Sequence, residues 1–170
     1  MNIPSRYLRL IDHETTGNRS DVTPLFADAI AFSQLLAELT HQLAGTEFDA
    51  IAAVDALGFI LGTALAVKMN LGLITVRKGG KLPVRTEVAE FIDYTGSRKS
   101  LELRPDAIRR GMRLLVVDEW VETGAQVRAA ISLIERCGGV VAGVASINID
   151  RHARLDLESR GYSCFATADR

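Results

Sequence analysis

The sequence has little of what marks a secreted, disulfide-linked or membrane-spanning protein. It contains two cysteines in 170 residues, Cys137 and Cys164, and their spacing matches neither a metal site nor a redox motif. A reduced, cytoplasmic protein is therefore expected, with a chance disulfide as the alternative. No apolar run approaches the roughly 20 residues that span a bilayer, and residues 1–10 lack the continuous apolar core of a signal peptide. We therefore expect no association with a membrane.

An excess of positive charge is also absent. Lysine and arginine together number 20, against 21 aspartate and glutamate residues, for a formal net charge of −1. Binding to nucleic acid depends largely on a basic surface that releases counterions from phosphates, so no nucleic-acid partner is expected. The signatures G-x-x-x-x-G-K-[ST] and G-x-G-x-x-G are missing as well, which argues against a P-loop NTPase and a standard dinucleotide-binding fold.

What the chain does contain is an alternation of apolar strands and helices. Its composition, 48% hydrophobic and 24% charged, is that of a globular protein, and 170 residues suit one domain. The order strand, helix, strand predicts an α/β fold, with a mainly parallel twisted sheet flanked by helices. In such sheets ligands bind beyond the carboxyl ends of the strands. The predicted strands are 50–54, 73–76, 113–117, 140–149 and 161–165, and the predicted helices are 21–45, 59–69 and 125–136.

The segment 84–104 interrupts this alternation. Residues 87–94 and 100–104 predict the two strands of a hairpin around Thr95–Lys99. A hairpin inserted between two core units is either a lid over a binding site or a surface arm, for example one used in dimerisation, and the sequence leaves both open. We therefore predict a single domain over 1–170 that carries this hairpin.

The most informative stretch begins at the predicted strand end, Leu114–Val117. The apolar run leads directly into Asp118 and Glu119, and a loop containing Thr123 and Gly124 then opens a helix. The free N–H groups and the dipole of a helix start bind an anion, whereas two adjacent carboxylates suit vicinal hydroxyls or a hydrated Mg²⁺. Together they describe a site for a ribose 5-phosphate group. The alternative is an ordinary capped helix that follows two solvated carboxylates.

This stretch resembles the motif with which type I phosphoribosyltransferases bind 5-phosphoribosyl 1-pyrophosphate (PRPP). In that motif a hydrophobic strand, two acidic residues and two apolar residues precede a Thr-Gly loop. Three further segments, Asp21–Phe26, Val54–Gly62 and Val76–Pro83, are similar to the adenine branch of the family, and their order fits over 16–149. The resemblance implies the type I phosphoribosyltransferase fold, with the hairpin as a lid and a small hood made by the N-terminus and the C-terminal part. It also implies a homodimer.

The same resemblance implies an activity. The chain would be a glycosyltransferase that transfers the ribose 5-phosphate of PRPP to a purine base, adenine being the first expectation, and releases pyrophosphate. Mg²⁺ would be the cofactor, held through water by Asp118 and Glu119, which would also hold the ribose hydroxyls. The remaining implied roles are binding of the PRPP 5′-phosphate by Glu122, Thr123, Gly124, Ala125 and Gln126, and of pyrophosphate by Asp55, Ala56, Leu57, Gly58, Arg77, Lys78 and Lys81.

Proton transfer and base recognition have several candidates. Glu122 occupies the place of the proton-handling acid in the hypoxanthine-guanine branch, and Asp93 is the counterpart of a lid acid in the adenine branch. For Asp150, capping of the helix that starts at Arg151 is the alternative to a contact with the base. The residues expected near the base are Asn18, Arg19, Ser20 and Asp150.

Two positions depart from the pattern of the adenine branch. Leu57 stands where arginine is usual, and Gln126 stands where the family often has threonine. These departures favour a second interpretation, a PRPP- or nucleotide-binding sensor or regulator on the same fold that does not turn over. The retained acidic pair and the basic run at 77–83 favour the enzyme.

Overall fold

Eight strands and five α-helices make up the part of the chain that the computed structural model describes, residues 6–15, 20–93 and 95–168. Short 3₁₀ turns at Arg6–Leu10 and Pro105–Ala107 complete it. The strands are β1 (Ala50–Val54), β2 (Gly72–Lys78), β3 (Glu87–Ile92), β4 (Arg98–Leu103), β5 (Arg113–Val117), β6 (Trp120–Val121), β7 (Val140–Ile149) and β8 (Cys164–Ala168). The helices are α1 (Thr23–Ala27), α2 (Ala29–Gln42), α3 (Leu57–Met69), α4 (Ala125–Arg136) and α5 (Arg151–Ser159).

All eight strands form one sheet in the order β3-β4-β2-β1-β5-β7-β6, and β8 also pairs with β7. The pairs β1–β2, β1–β5, β5–β7, β6–β7 and β7–β8 are parallel, whereas β4 pairs antiparallel with both β2 and β3. The predicted α/β class with a mainly parallel sheet is therefore confirmed. Because the central strands β1 and β5 are parallel, their carboxyl ends lie at the same edge of the sheet.

The sheet is buried on both faces, which explains why its central strands β1 and β5 are apolar apart from Arg113 at the start of β5. In β1, Ala52 and Val54 pack into the core on the side of α4, and Ile51 and Ala53 pack into the core on the side of α2 and α3. All five residues of β1 are buried. Alternating side chains of a strand point to opposite faces, so a strand covered on both faces needs an unbroken apolar run.

The predicted helix over 21–45 is wrong in one respect, because it is two helices. The chain breaks at Asp28, which has extended backbone angles (φ −93°, ψ 108°), and its carboxylate accepts hydrogen bonds from the amides of Ile30 and Ala31. Aspartate satisfies the free N–H groups at a helix start better than it continues a helix. The apolar periodicity runs through both helices and therefore conceals the break.

The hairpin β3–β4 extends the sheet beyond the end of β2. Arg77 and Lys78 of β2 pair with Glu102 and Leu101 of β4, so the base of the hairpin is joined to the sheet by backbone hydrogen bonds. Its tip projects past the carboxyl edge of the central strands. In the described part of the chain, none of the helices is both long and apolar enough to cross a bilayer.

Candidate active site

The acidic pair lies at the centre of the carboxyl edge and is almost completely buried. Asp118 is 3% exposed and Glu119 is 6% exposed, so the alternative of two solvated carboxylates is wrong. The Oδ1 atom of Asp118 accepts the amide of Glu119 (2.9 Å), and its Oδ2 atom accepts Nε2 of Gln126 (3.1 Å). Burial, together with the negative charge of Glu119, raises the pKa of Asp118 well above its ordinary value.

The loop between β6 and α4 has the geometry expected of an anion site. Gly124 has a left-handed backbone (φ 71°), which turns the chain into the helix. The first hydrogen bond of α4 runs from the amide of Arg128 to the carbonyl of Gly124 (2.9 Å), so the amides of the first turn precede the helical ladder. One of them, that of Ala125, donates weakly to the hydroxyl of Thr123 (3.3 Å). A phosphate oxygen would compete readily with so long a contact.

Arg128 connects this loop to helix α5. Its Nη1 atom donates to the carbonyl of Thr123 (3.0 Å) and to Oδ2 of Asp156 in α5 (2.9 Å). A side chain at Gly124 would come within 3.0 Å of the same nitrogen. Arg128 was not among the residues expected from sequence, because its partners lie on a different helix and on a backbone carbonyl.

The turn from β1 into α3 lies directly against the acidic pair. It comprises Asp55–Gly58, and the peptide bond between Asp55 and Ala56 is cis. A Cβ atom at Gly58 would lie 2.9 Å from the carbonyl oxygen of Val117 and 3.0 Å from Oδ1 of Asp118. Only glycine allows this approach, which brings the predicted pyrophosphate loop against the acidic pair. Leu57, in place of the usual arginine, packs partly against the core.

The three predicted pyrophosphate-binding cations occupy different positions. Lys78 is exposed at the edge of the cleft. Arg77 instead lies beside Asp55 (Nε–Oδ2 3.8 Å) and donates from Nη1 to the carbonyl of Lys81 (3.1 Å). The side chain of Lys81 is exposed on the loop after β2. Arg77 therefore joins the turn at Asp55 to the basic loop, residues 78–83, and Lys78 has the most direct access to a ligand.

Two adjoining cavities occupy the carboxyl edge. The larger has a volume of about 500 Å³ and lies under the hairpin, which supports the lid interpretation; the smaller has about 340 Å³ and reaches the N-terminal segment. Lys78 and Gln126 line both cavities. Predicted residues in the larger one are Asp93, Asp118, Glu122, Thr123, Gly124 and Ala125, and those in the smaller one are Ser20, Asp55, Ala56, Leu57 and Glu119.

Several other residues of the cavity walls were not among the residues predicted to bind a ligand. Phe91, Arg98 and Lys99 of the hairpin and Trp120 of β6 line the larger cavity. The three hairpin residues reach the cavity because the hairpin lies over the edge of the sheet. Trp120 reaches it because a two-residue strand, β6, forms where the sequence predicted a loop. Strand alternation in the hairpin was the one signal that would have pointed to Phe91.

The candidates for proton transfer differ in their surroundings. Asp93 holds the turn of its own hairpin: its Oδ1 atom accepts the amides of Thr95 (2.9 Å) and Ser97 (3.0 Å) and the hydroxyl of Thr95. The hydroxyl of Thr95 makes the largest contribution to lowering the pKa of Asp93. Glu122 is half-buried in the wall of the larger cavity, beside the phosphate loop. This geometry favours Glu122.

The expected base-binding residues are only partly accounted for. Asn18 and Arg19 lie outside the described residues, whereas Ser20 lines the smaller cavity. The carboxylate of Asp150 accepts Nδ2 of Asn148 (2.6 Å) and makes no capping hydrogen bond to α5, although the residue stands at the N-cap. The capping alternative is therefore wrong for its side chain, and Asp150 lines neither of the two cavities.

The acidic pair fits a hydrated divalent cation better than a dehydrated one. Among the described residues, no group of three or more histidine, cysteine, aspartate and glutamate side chains could enclose a metal ion. Two adjacent carboxylates supply hard oxygen ligands, and Mg²⁺ usually keeps several waters and takes further oxygens from substrate phosphates. Asp118 and Glu119 therefore fit Mg²⁺ bound through water together with a phosphorylated ligand.

Comparison with known proteins agrees with this arrangement. The sequence profile of the phosphoribosyl transferase domain matches residues 23–168. The adenine phosphoribosyltransferase of Chlorobium limicola is 36% identical over 174 residues, covering 99% of this chain and 98% of that protein, and that of Leuconostoc citreum is 37% identical over 146 residues, covering 85% and 82%.

The solved structures lead to the same family. The crystal structure of adenine phosphoribosyltransferase from Thermoanaerobacter pseudethanolicus superposes with a TM-score of 0.89 at 31% identity, over 99% of this chain and 100% of that one. The enzyme from Rhodothermus marinus superposes with a TM-score of 0.81 at 26% identity, over 99% and 92%. These matches confirm the family and the fold that the motifs predicted. The chain therefore belongs to the phosphoribosyl transferase family, alongside the adenine phosphoribosyltransferases.

Proposed function

We propose that this protein transfers the ribose 5-phosphate group of PRPP to adenine, forming adenosine monophosphate (AMP) and pyrophosphate. The observation that carries the proposal is the buried pair Asp118 and Glu119, followed by the amide-rich start of α4 and facing a cavity of about 500 Å³. A diol site next to an anion site is what a ribose 5-phosphate requires. The adenine phosphoribosyltransferase relatives supply the choice of base.

The sugar is oriented by opposite charges at its two ends. The first-turn amides of α4 bind the 5′-phosphate, with Thr123 adding its hydroxyl once the contact to Ala125 is released. The phosphate is repelled from Asp118 and Glu119, which accept hydrogen bonds from the 2′- and 3′-hydroxyls. Gln126 donates to Asp118 and keeps that carboxylate turned toward the cavity. A sugar held in this way would have its anomeric carbon between the two cavities.

Pyrophosphate would leave toward the turn at Asp55–Gly58 and the basic loop. The amides at the start of α3 face the charge that develops on the leaving group, and Lys78 supplies a cation at the junction of the two cavities. Bound Mg²⁺ would neutralise pyrophosphate oxygens. Arg77 acts indirectly, because its guanidinium holds Asp55 and the carbonyl of Lys81.

The displacement breaks the bond between the anomeric carbon and the pyrophosphate oxygen and forms a bond to a nitrogen of the base. Its transition state has oxocarbenium character, as in glycoside hydrolysis, and the acidic pair lies close enough to stabilise that positive charge. The base loses one proton overall, and Glu122 is the proposed acceptor because it stands in the cavity wall. Ser20, with Asn18 and Arg19, stays the predicted edge for recognition of the base.

Turnover with defined bases tests the proposal. The protein is incubated with PRPP and Mg²⁺ and with adenine, guanine, hypoxanthine or xanthine in turn, and pyrophosphate release is followed. Adenine is expected to give the highest kcat/KM. Release with another base only would contradict the substrate assignment. Measurable PRPP binding with no turnover on any base would favour the sensor or regulator, the interpretation supported by Leu57 in the pyrophosphate loop.

A homodimer stays a prediction of the resemblance, and a cytoplasmic location stays a prediction from the two unpaired-looking cysteines. The surface best suited to a second copy is the outer side of α3, where Ile60 is 42% exposed and Val67 is 77% exposed beside Phe59 and Leu36. Val67→Lys is expected to shift the protein toward monomer in sedimentation equilibrium. The matched control is Leu155→Lys on α5, since Leu155 is also exposed (58%) but lies outside this patch. If neither substitution changes the fraction of dimer, the interface does not include this side of α3.

A further inference from the structure

Glu102 is a buried carboxylate to which the reaction gives no role. It lies on β4, is 4% exposed, and stands opposite Arg77 in the pairing of β4 with β2. A carboxylate out of water is unfavourable unless hydrogen bonds replace its solvent shell. Its Oε1 atom accepts the amides of Lys81 and Leu82, both at 2.6 Å, and its Oε2 atom is 3.5 Å from the hydroxyl of Thr86.

These hydrogen bonds keep the side chain ionised. Burial by itself raises the pKa of Glu102, but the backbone hydrogen bonds from Leu82, Gly80 and Lys81 outweigh it, so the pKa lies below the ordinary value. Two successive amides, those of Lys81 and Leu82, thus converge on one carboxylate oxygen. Such an arrangement holds a loop in a single conformation, because each amide would otherwise need a partner of its own.

Glu102 holds the basic loop, residues 78–83, which begins at the last residue of β2, Lys78. A second contact fastens it to the same strand: the amide of Gly79 donates to the carbonyl of Ser100 (3.0 Å), and a side chain at Gly79 would collide with the hydroxyl of Ser100. Arg77 then links the carbonyl of Lys81 to Asp55 at the start of the pyrophosphate turn. Lys78, at the head of this loop, lines both cavities.

We propose that Glu102 is a positioning residue that fixes the basic loop, so that Lys78 stands where pyrophosphate leaves. The proposal rests on the proposed function, because it assumes that PRPP binds at the carboxyl edge. Glu102 touches no substrate; it acts through the backbone of Lys81 and Leu82. Without it, PRPP and pyrophosphate have to order the loop themselves on binding, which weakens their affinity. AMP contains no pyrophosphate and does not use the loop.

Binding of three ligands to a set of variants tests this role. Affinities for PRPP, pyrophosphate with Mg²⁺, and AMP are measured by calorimetry for the unchanged protein and for E102A, E102D and E102Q. In E102A the affinity for PRPP and pyrophosphate is expected to fall about tenfold or more, equivalent to about 1.4 kcal/mol, while that for AMP changes less than about twofold. In kinetics, KM for PRPP rises and KM for adenine does not.

The two conservative variants separate hydrogen bonding from charge. Glu102→Gln keeps an oxygen within reach of both amides and is expected to restore most of the affinity, whereas Glu102→Asp keeps the charge, loses the reach and shows the same selective loss as E102A. The matched control is Glu90→Ala on β3, whose carboxylate is exposed and contacts Arg98 rather than the loop. It is expected to bind all three ligands normally. If E102A does not fold, the binding measurements on E102D decide the outcome.

Three results would overturn the proposal. Equal weakening of AMP, PRPP and pyrophosphate in E102D would show a general structural role. Unchanged binding of all three ligands in E102A and E102D would show that the loop needs no such support. If the unchanged protein binds neither PRPP nor AMP, the proposed function itself is wrong and the role of Glu102 is rejected with it. A loss confined to PRPP and pyrophosphate supports the proposal.

Discussion

Replacing Gly58 by alanine tests whether the pyrophosphate turn has to touch the acidic strand end. A Cβ atom at this position would lie 2.9 Å from the carbonyl oxygen of Val117 and 3.0 Å from both Cα and Oδ1 of Asp118. Two of these three atoms belong to the backbone at the centre of the sheet, which is close-packed and does not yield as a flexible side chain would. The start of α3 is therefore expected to move away from Asp118.

The magnitude follows from two opposing effects. Overpacking of a well-packed site costs about 1–3 kcal/mol, whereas alanine is favoured over glycine in a helix by about 0.5–1 kcal/mol. The net loss of unfolding free energy is then between about zero and about 2.5 kcal/mol, which lowers Tm by at most roughly 10 °C in a domain of this size. Because the ribose site and the pyrophosphate turn separate, PRPP affinity is expected to fall about tenfold or more.

Calorimetry of unfolding and titration with PRPP check both expectations, with Gly72→Ala as the matched control. Gly72 opens β2, and a Cβ atom there would lie 3.8 Å from Cβ of Ala50, an ordinary van der Waals distance. The control is expected to keep both its Tm and its PRPP affinity. If Gly58→Ala and Gly72→Ala behave alike, the contact between Gly58 and Asp118 does not matter and the reasoning is refuted.

Three further predictions concern single side chains. Glu122→Gln removes the proposed proton acceptor, so kcat should fall at least about a hundredfold with PRPP affinity unchanged by titration; an unchanged rate would contradict the assignment. Burial and the adjacent carboxylate raise the pKa of Asp118, so its carboxyl group binds a proton more tightly in the folded protein than in the unfolded chain. Protonation of Asp118 therefore stabilises the folded state below about pH 4, and this stabilisation is lost as pH rises through the raised pKa. Asp118→Asn should therefore unfold at a higher temperature than the unchanged, ligand-free protein at about pH 8, with the advantage shrinking toward about pH 4, and a variant less stable at both pH values would refute this. Arg128→Ala releases the carbonyl of Thr123, so calorimetric affinities for PRPP and AMP should fall together by about fivefold to tenfold; Arg136→Ala on the same helix is the control, and loss of PRPP binding alone would contradict this role of Arg128.

The elements that the sequence predicted well are those governed by local patterns. The strands at 50–54, 113–117 and 140–149 and the helix at 125–136 are found with the predicted bounds. The three strands are mostly buried and the helix buries one face, and each is followed by glycine or a charged residue within two positions. Burial on both faces makes a strand recognisable without knowledge of its neighbours. The predicted last strand, 161–165, lies instead at Cys164–Ala168, because its pairing with β7 rather than its composition sets its position.

In the candidate site, too, only the features set by a continuous stretch of sequence could be predicted. The order of acidic pair, loop and helix start at 118–126 is continuous in sequence and could be predicted from it. The engagement of Arg77 by Asp55 could not, since Asp55 follows β1 and Arg77 lies on the neighbouring strand β2, and only the fold brings the two residues together. The role of Asp93 in its own turn was missed for a different reason: a carboxylate in a hairpin serves equally well as a turn residue or as a catalytic group, and only its contacts distinguish the two.

The sequence by itself determined the fold class, the family and the segment proposed to bind the sugar phosphate, because apolar periodicity and a contiguous motif are properties of short stretches. Only the tertiary structure decided that Asp118 is buried, that Gly58 touches it, and that Glu102 holds the amides of a loop some twenty positions earlier in the chain. These features depend on distances between residues remote in sequence, and packing sets such distances once the whole sheet has formed.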